Sequence, residues 1–335
     1  MKGVKPVSKI DIGIDLGTTN TIIYQKSKGI ILEEPSVVAV NSNGSVISVG
    51  KKAKEMLGRT PEGVRAINPI RHGVIADFDM AALMLEYFVK KLVKSVFRPK
   101  FRAAVGVPSS ITNVENKALK EVVTRAGIRD AVYIDEVMAA AIGSGLCVNS
   151  PNGIMVVDIG GGTTDVAIIS LGGIVYVKTV RIGGDSFDEA ISDFIRRKYG
   201  IHTGSGSVER IKQQIGTVMK NSGNVSSQIR GLKSVNGLPA SIYINGNDIR
   251  TAILPGVYLI VDAIKSVISE APPELASDIL ESGIELTGGG ACIDGIDRII
   301  CNATGMPVKI ADNPLKSVAS GLGEIIEKKF DLYKT

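Results

Sequence analysis

Two stretches of the chain share one pattern of hydrophobic and polar positions. Residues 10–24 read IDIGIDLGTTNTIIY, and residues 154–170 read IMVVDIGGGTTDVAIIS. In each stretch an apolar run ends in Asp–apolar–Gly, a Gly/Thr turn follows, and a second β-branched run comes after it, which predicts a β-hairpin. The distance between the copies is too long for a solenoid repeat. It favours a duplicated domain, with two similar lobes that face a cleft.

Strand and helix patterns alternate after each hairpin. Pro108 ends a predicted strand at 103–107, Ser110 or Thr112 can cap the following helix, and Gly127 can end that helix near residue 125. The other predicted strands are 131–134, 283–286 and 308–310, and the other predicted helices are 137–142, 187–199, 293–302 and a last helix opened by Pro314. Such alternation predicts sheets with helices on their faces, in which ligands bind beyond the carboxyl ends of strands.

Composition excludes several classes of protein. The 335 residues are 44% hydrophobic and 22% charged, which is typical of a globular chain with a large core. The net charge of +5 lacks a long basic run, which argues against a dedicated nucleic-acid binder. Three cysteines without metal or disulfide spacing, and only two histidines, argue against a zinc site.

The sequence also predicts no membrane-spanning segment. No run reaches the roughly 18 apolar residues that a span requires. The most apolar stretch, at 251–264, is interrupted by Pro255 and Asp262. Residues 1–9 are basic but lack an apolar core and a cleavage site, so they do not form a signal peptide.

The two hairpin turns have the residue types of a phosphate site. Glycines let backbone N–H groups approach an anion, threonines add hydroxyl donors, and an aspartate at a strand end can hold hydrated Mg²⁺ through water. The glycines are Gly17, Gly160, Gly161 and Gly162; the threonines are Thr18, Thr19, Thr163 and Thr164; the aspartates are Asp15 and Asp158. One such turn is often only a turn, but two copies at corresponding points predict phosphate binding. The P-loop and dinucleotide signatures are absent, so those folds are disfavoured.

Three other segments are candidates for the same site. Asp135-Glu136 lies between a strand and a helix, where a carboxylate could orient or deprotonate water, or could only favour the helix dipole. The glycines at 288–290 precede a predicted helix, where they could contact an anion or form a plain turn. The run 181–185, RIGGD, could admit a ribose or phosphate, and a simple strand–helix turn is an equal alternative.

Taken together, these motifs resemble the actin–hexokinase–heat-shock-ATPase superfamily. The first phosphate hairpin is 15–20, the second is 158–165, and the adenosine motif is 287–291. Four further segments narrow the resemblance to the MreB family: GIILEEPSVVA at 29–39, MLGRTP at 56–61, GVIADF at 73–78 and PPELASDI at 272–279. The resemblance runs from about residue 10 to residue 326.

The resemblance implies an actin-like α/β ATPase fold with two duplicated lobes and four subdomains. Subdomain IA would comprise 1–33 and 77–150 with a C-terminal helix at 314–335, and IB would comprise 34–76. Subdomain IIA would comprise 151–185 and 250–313, and IIB would comprise 186–249. The resemblance also implies slow, Mg²⁺-dependent hydrolysis of ATP to ADP and phosphate, coupled to polymerisation into filaments that scaffold cell shape.

Site roles follow from the resemblance residue by residue. Glu136 would position the attacking water, assisted by Thr163 or Thr164. Glu209 would lie at the ribose and Lys212 near the base. The other nucleotide contacts would be Gly17, Thr18, Thr19, Asn20, Gly160, Gly161, Gly162, Gly184, Asp185, Arg210, Ile211, Gly288, Gly289, Gly290 and Ala291, with Asp15 and Asp158 holding Mg²⁺ through water.

The chain departs from the family pattern at four points. Val137 replaces a proline after Asp135-Glu136, which would loosen the start of the helix and predicts a low hydrolysis rate. Thr19 stands where Ala is common, and Asp165 where Glu is common; both are tolerable. Arg71-His72 stands where Lys-Asp is common.

The family also binds membranes, through an N-terminal amphipathic helix, a hydrophobic loop, or both. The run KSVFRPK at 94–100 resembles that loop, and its Val96 and Phe97 would insert into an anionic bilayer with help from the neighbouring basic residues. Core burial of both side chains is the alternative. The chain would then be cytoplasmic and peripheral at the inner face of the membrane, with itself and membrane proteins as partners.

Three other functions on the same fold stay open at this point. A chaperone-like ATPase would carry a peptide-binding domain, and none follows the second lobe here. A sugar or acetate kinase shows no substrate motif to test. A plasmid-segregating or division-linked actin homologue fits the four MreB-like segments less well.

Overall fold

The computed structural model describes residues 9–93, 100–220 and 225–328. The chain divides into two compact units, residues 1–147 with 316–335 and residues 148–315. Val96 and Phe97, the predicted membrane-contacting residues, lie outside the described residues, so the loop remains a prediction. The division into four subdomains also remains a prediction.

The first unit contains ten strands and five helices among its described residues. The strands are β1 (Lys9–Leu16), β2 (Asn20–Gln25), β3 (Gly29–Pro35), β4 (Val38–Asn41), β5 (Val46–Val49), β6 (Val64–Ile67), β7 (Ile70–Arg71), β8 (Val74–Ile75), β9 (Lys100–Val107) and β10 (Asp130–Asp135). The helices are α1 (Lys51–Met56), α2 (Phe78–Lys91), α3 (Asn113–Arg125), α4 (Glu136–Gly143) and, at the end of the chain, α10 (Ser317–Lys328).

The second unit contains eight strands and five helices among its described residues. The strands are β11 (Ile154–Ile159), β12 (Thr164–Ser170), β13 (Gly173–Val180), β14 (Ile201–His202), β15 (Ser226–Lys233), β16 (Pro239–Asn245), β17 (Ile284–Thr287) and β18 (Val308–Ile310). The helices are α5 (Gly184–Tyr199), α6 (Ser205–Ile215), α7 (Gly246–Glu270), α8 (Pro273–Ser282) and α9 (Ile296–Thr304).

The main sheets of the two units have the same topology. The first sheet runs β10-β9-β1-β2-β3, and the second runs β18-β17-β11-β12-β13 when read in the same direction. In each, the first strand pairs antiparallel with the second and parallel with a later strand, and a further parallel strand follows. The predicted duplication is therefore confirmed, and both predicted hairpins lie at equivalent places in the two sheets.

Local signals account for the best-predicted helix, α3. Thr112, and not Ser110, is its N-cap: its hydroxyl accepts from the Glu115 backbone N–H, and the Glu115 carboxylate accepts from the Thr112 N–H at 2.8 Å. This reciprocal pair satisfies two N–H groups that the helix itself leaves unbonded. Gly127 follows the helix with φ +93°, a conformation that favours glycine.

Helix α7 runs without a break through Pro255 and Asp262, the two residues that interrupt the apolar stretch in the sequence. Proline cannot donate to the carbonyl four residues earlier, on Thr251. Both residues are on the exposed side of the helix, where water can bond that carbonyl. By length and composition alone α7 could cross a membrane. Its opposite face, including Ile253, Val257 and Ile260, is wholly buried in the core of the second unit, so α7 is a core helix.

Two other predicted helix starts differ from the structure. After Gly288 the chain makes a short 3₁₀ turn, Gly289–Cys292, and α9 begins only at Ile296. Pro314 likewise opens a 3₁₀ turn that leads into α10. The predicted helix at 293–302 thus begins three residues later than expected, and the last helix begins just after the turn that Pro314 opens.

Two helical glycines allow close packing within the first unit. A Cβ placed on Gly321 of α10 would overlap the backbone carbonyl of Ala139 in α4, and one placed on Gly143 would overlap that of Ser317. These neighbours are backbone atoms, so a larger residue could be admitted only by separating the two helices.

We therefore expect Gly321→Ala to lower the stability of the chain, although alanine is the better helix former. Overpacking costs roughly 1–3 kcal/mol, which exceeds the gain of about 1 kcal/mol in helix propensity. The control is Gly206→Ala in α6, where nothing lies within 4 Å of the added Cβ. Thermal unfolding should show a lower Tm for the first variant and an equal or higher Tm for the control. Equal shifts in the two variants would contradict the packing argument.

Candidate functional site

Ser36 donates hydrogen bonds to two backbone carbonyls in the turn of the first hairpin. The Ser36 hydroxyl donates to the Gly17 carbonyl at 2.7 Å, and the Ser36 N–H donates to the Thr19 carbonyl at 2.9 Å. A Cβ on Gly17 would lie 2.8 Å from the Asn20 carbonyl oxygen, so this turn requires glycine. In a planar trans peptide the C=O and the next N–H point in opposite directions. The Thr18 N–H therefore points away from Ser36.

A second turn packs on this hairpin and was not expected from the sequence. His72 and Gly73 join β7 to β8 with φ +50° and +75°, and the Gly73 N–H donates to the Thr18 hydroxyl at 3.0 Å. Histidine, like Asn and Asp, is enriched in the left-handed region among non-glycine residues. This explains why histidine is tolerated at position 72 where Asp is common, since both residue types tolerate positive φ; nothing in the structure explains Arg71.

Two carbonyls in the turn of the second hairpin likewise accept hydrogen bonds, here from backbone N–H groups. The Gly184 N–H donates to the Gly160 carbonyl at 3.0 Å, and the Asp185 N–H donates to the Gly161 carbonyl at 2.8 Å. By the same peptide geometry, the N–H groups of Gly161 and Gly162 point away from that segment. Backbone N–H groups presented in this way are the usual donors to a phosphate.

Asp158 lies at the end of β11, where three elements of the second unit meet. It is 7% exposed, and one carboxylate oxygen accepts from the Thr287 hydroxyl at 2.8 Å. Burial raises the pKa of Asp158 to about 6, and the Thr287 hydrogen bond opposes that rise. A Cβ on Gly288 would lie 2.7 Å from the same carboxylate oxygen, and Gly288 has φ +78°. The predicted adenosine motif thus begins directly beside the second phosphate hairpin.

The candidate aspartates suit a hydrated magnesium ion. Among the described residues, no three His, Cys, Asp or Glu side chains gather in a way that could enclose a metal. Mg²⁺ usually keeps several waters and binds one or two carboxylates together with substrate phosphates. Single carboxylates at strand ends, such as Asp15 and Asp158, fit that mode of binding.

Glu136 lies at the carboxyl edge of the first sheet. It is the first residue of α4, directly after β10, and its side chain packs over Gly106 of the neighbouring strand β9. A surface depression there is lined by Glu136, Gly106, Leu16 at the end of β1, and Gly73. Since Gly73 bonds Thr18, the depression joins the first hairpin to Glu136 within one unit.

The structure places two predicted site residues in structural roles. Thr164 is fully buried, and its hydroxyl donates to the Ile182 carbonyl at 2.7 Å. Its proton is committed there, so Thr163, which is half-buried in the turn, is the better candidate to contact the reacting water. Ile211 is also fully buried, in the core of the second unit, where it anchors α6.

The remaining predicted residues are distributed over the same elements of the second unit. Glu209 and Lys212 lie one turn apart on α6, Arg210 is exposed, and Gly290 and Ala291 are buried in the 3₁₀ turn against Ile159. The Lys212 ammonium donates to the Gly184 carbonyl at 2.6 Å and pairs with Asp188 at 2.9 Å. Sequence reasoning missed Asp188, whose only signal is its place one helical turn after Gly184.

These features define the class of the protein. Two five-stranded sheets of equal topology, each with a glycine- and threonine-rich hairpin, form the actin-like fold. The solved MamK double helical filament shares that fold, with a TM-score of 0.80 at 20% sequence identity over 95% of this chain and 98% of that chain.

The chain belongs to the MreB/Mbl family, whose sequence profile matches residues 9–334. It is 48% identical to the cell shape-determining protein MreB of Escherichia coli, over 95% of this chain and 93% of that protein. It is 43% identical to Mbl of Bacillus subtilis, over 97% and 98%. The crystal structure of MreB5 of Spiroplasma citri bound to ADP matches with a TM-score of 0.90 at 35% identity, covering 98% of both chains.

The structural role of Thr164 leads to a direct expectation. Thr164→Val removes the hydroxyl that bonds the partly buried Ile182 carbonyl and should lower the free energy of unfolding by about 1–3 kcal/mol. Thr163→Val, at the adjacent half-buried position, should change it by no more than about 0.5 kcal/mol. Urea denaturation without nucleotide measures both. A destabilised Thr163 variant beside an unchanged Thr164 variant would reverse the assignment.

Proposed function

We propose that this chain is an ATP-binding and ATP-hydrolysing bacterial actin homologue that assembles into filaments scaffolding cell shape. The main observation behind this proposal is the repeated sheet. In each unit it contains a hairpin whose turn carbonyls accept hydrogen bonds from another segment of the same unit. Relatives named for determining cell shape, at 43–48% identity over nearly the whole chain, support the cellular role. MreB5 of Spiroplasma citri, solved with ADP and with AMPPNP, supports nucleotide binding.

The proposed phosphate contacts are the turn residues of the two hairpins. The N–H groups of Thr18, Gly161 and Gly162 point away from the segments that bond their turns, and are thus oriented to meet an anion. Thr163 adds a hydroxyl. Mg²⁺ held through water by Asp15 and Asp158 would neutralise charge on the phosphates, which together with positioning dominates phosphoryl transfer.

Glu136 is the proposed residue that positions the attacking water. Its carboxylate stands at the first turn of α4 and at the edge of the depression next to the first hairpin. Val137, in place of the family's proline, is fully buried under the helix. Valine does not fix φ as proline does, so the first turn of α4 is less constrained at that point, which supports a slow rate of hydrolysis.

Association with the membrane is the finer part of the proposal. It rests on family membership and on the apolar and basic residues at 94–100, including Val96 and Phe97. Filament formation would multiply a weak contact, because each further copy on the same filament binds as an effectively intramolecular event. The proposed location is therefore the cytoplasmic face of the membrane, as a peripheral filament.

The kinase and chaperone alternatives lose support. Every part of the chain from residue 9 to residue 334 is accounted for by one family, and its curated relatives are covered to 93% or more. The relatives that match over this range are named for determining cell shape.

Nucleotide-dependent assembly tests the proposal. Wild-type chain should sediment in Mg·ATP and remain in the supernatant without nucleotide, and anionic vesicles should increase the pelleted fraction. Asp158→Asn, which removes a buried charge and keeps the volume, should fold normally yet bind no Mg·ATP by calorimetry and fail to pellet. Asp193→Asn, at an exposed position of α5, is the control. Unchanged affinity in the Asp158 variant would remove that residue from the site, and ATP-independent sedimentation would contradict the proposed cycle.

A second test separates hydrolysis from binding. Glu136→Gln should keep its affinity for ATP and lower phosphate release by roughly 10²–10⁴-fold if the carboxylate acts as a general base, and by less if it only positions water. Asp135→Asn, at the preceding exposed carboxylate, should release phosphate at close to the wild-type rate. Wild-type release from the Glu136 variant would exclude the residue from the mechanism.

A further inference from the structure

Lys212 makes contacts within the protein that the family resemblance does not imply. The resemblance places this lysine near the base of the nucleotide. In the structure its ammonium donates to the Gly184 carbonyl at 2.6 Å and pairs with the Asp188 carboxylate at 2.9 Å. Both side chains are largely buried, 13% and 19% exposed. A buried ammonium with two good partners is held in one geometry.

The Gly184 residue links this pair to the second phosphate hairpin. Its N–H donates to the Gly160 carbonyl, and its own carbonyl accepts from Lys212. The next N–H, of Asp185, donates to Gly161. One residue of backbone thus stands between the lysine ammonium and the turn that presents the phosphate-binding N–H groups.

Close packing makes this linkage stiff. A Cβ on Gly183 would lie 2.6 Å from the Gly161 carbonyl oxygen and 2.7 Å from that of Gly160, so the segment rests directly on the turn. A Cβ on Gly184 would lie 3.3 Å from the Lys212 ammonium. Since no side chain separates these groups, a displacement of the Gly183–Gly184 segment would reorient the hairpin peptides.

Asp188 supplies the charge that keeps Lys212 in place. Burial raises the pKa of Asp188 to about 6, the Lys212 ammonium opposes that rise, and the nearby carboxylates of Glu209 and Asp185 add to it. At neutral pH the Asp188 carboxylate is therefore ionised and paired with Lys212. Its second oxygen is buried without a hydrogen-bond partner among the described residues. Breaking a buried pair by neutralising one partner leaves an uncompensated charge, which is strongly unfavourable.

We propose that Lys212 and Asp188 are positioning residues for phosphate binding: together they hold the Gly183–Gly184 segment against the second hairpin and so orient the N–H groups of Gly161 and Gly162. This inference rests on the proposed function, because it assigns the origin of phosphate affinity within that site. It separates the role of Lys212 from recognition of the base.

Binding of three probes distinguishes the two roles. Lys212→Met and Asp188→Asn each break the pair with little change of volume. In metal sites, loss of an outer-shell residue that orients a ligand costs about 10–100-fold in affinity, and we expect an effect of similar size here. Both variants should lose on the order of tenfold or more of their affinity for Mg·ATP and for Mg·pyrophosphate, and keep their affinity for adenosine to within about twofold. Competition against a fluorescent ATP analogue measures all three.

The control is Lys198→Met. Lys198 of α5 also forms an ion pair within the second unit: its ammonium lies 2.5 Å from the buried carboxylate of Asp248 in α7. Its partners among the residues that the structure describes are Asp248, Phe194 and Tyr199, so its loss should affect thermal stability and leave all three affinities at wild-type values. This separates a general loss of stability from a specific loss of phosphate binding.

Each outcome decides the proposal. A loss confined to adenosine in the Lys212 variant would assign Lys212 to the base and overturn the proposal. An equal loss of adenosine and pyrophosphate affinity would show no specific effect on phosphate and would also overturn it. Wild-type pyrophosphate affinity in Asp188→Asn would also overturn it, and this milder variant serves if Lys212→Met does not fold. Failure of the wild-type chain to bind ATP would instead contradict the proposed function.

Discussion

The proposed phosphate site depends on one constraint. Other segments of the protein donate hydrogen bonds to the turn carbonyls of each hairpin, so the N–H groups of the same peptides point away from those segments. Ser36 does this for the first hairpin, and the backbone of Gly184 and Asp185 does it for the second. Glycine is required at both places, because a Cβ at Gly17 would lie 2.8 Å from the Asn20 carbonyl oxygen in the same turn, and one at Gly183 would lie 2.6 Å from that of Gly161. In the proposed function, phosphate affinity follows from the hydrogen bonds and close packing on the side of each turn that faces away from the phosphate.

The repeated sheet topology explains where the carboxylates lie. Asp15 and Asp158 occupy corresponding positions near the ends of β1 and β11, each the central strand of a five-stranded sheet. Parallel neighbours end at the same edge, which brings Thr287 to Asp158 in one unit and Gly106 to Glu136 in the other. In the proposed function the loops at that edge carry the chemistry, while the strands and the helices α4, α7 and α10 form the frame.

Much of this was predictable from sequence, for identifiable reasons. Local signals predict the two hairpins, β9 and α3. These signals are β-branched runs, glycine at the turns and the Thr112 cap, and they can be recognised without knowledge of the tertiary structure. The sequence did not predict that α7 continues through Pro255. A helix tolerates a proline where the carbonyl that loses its donor faces solvent, and that exposure is known only from the structure. Nor did the sequence predict the Gly73–Thr18 bond and the Asp188–Lys212 pair, which join residues 55 and 24 positions apart. Side chains such as Thr164 and Ile211 match the family pattern, yet their burial gives them structural roles.

Hydrogen–deuterium exchange at the two hairpins tests the central claim most directly. The account predicts that Mg·ATP slows exchange of the backbone N–H groups in peptides covering both 17–20 and 160–163, because both turns donate to the phosphates, and that adenosine alone does not slow it there. Protection by Mg·ATP at only one hairpin, or at neither, would contradict the account.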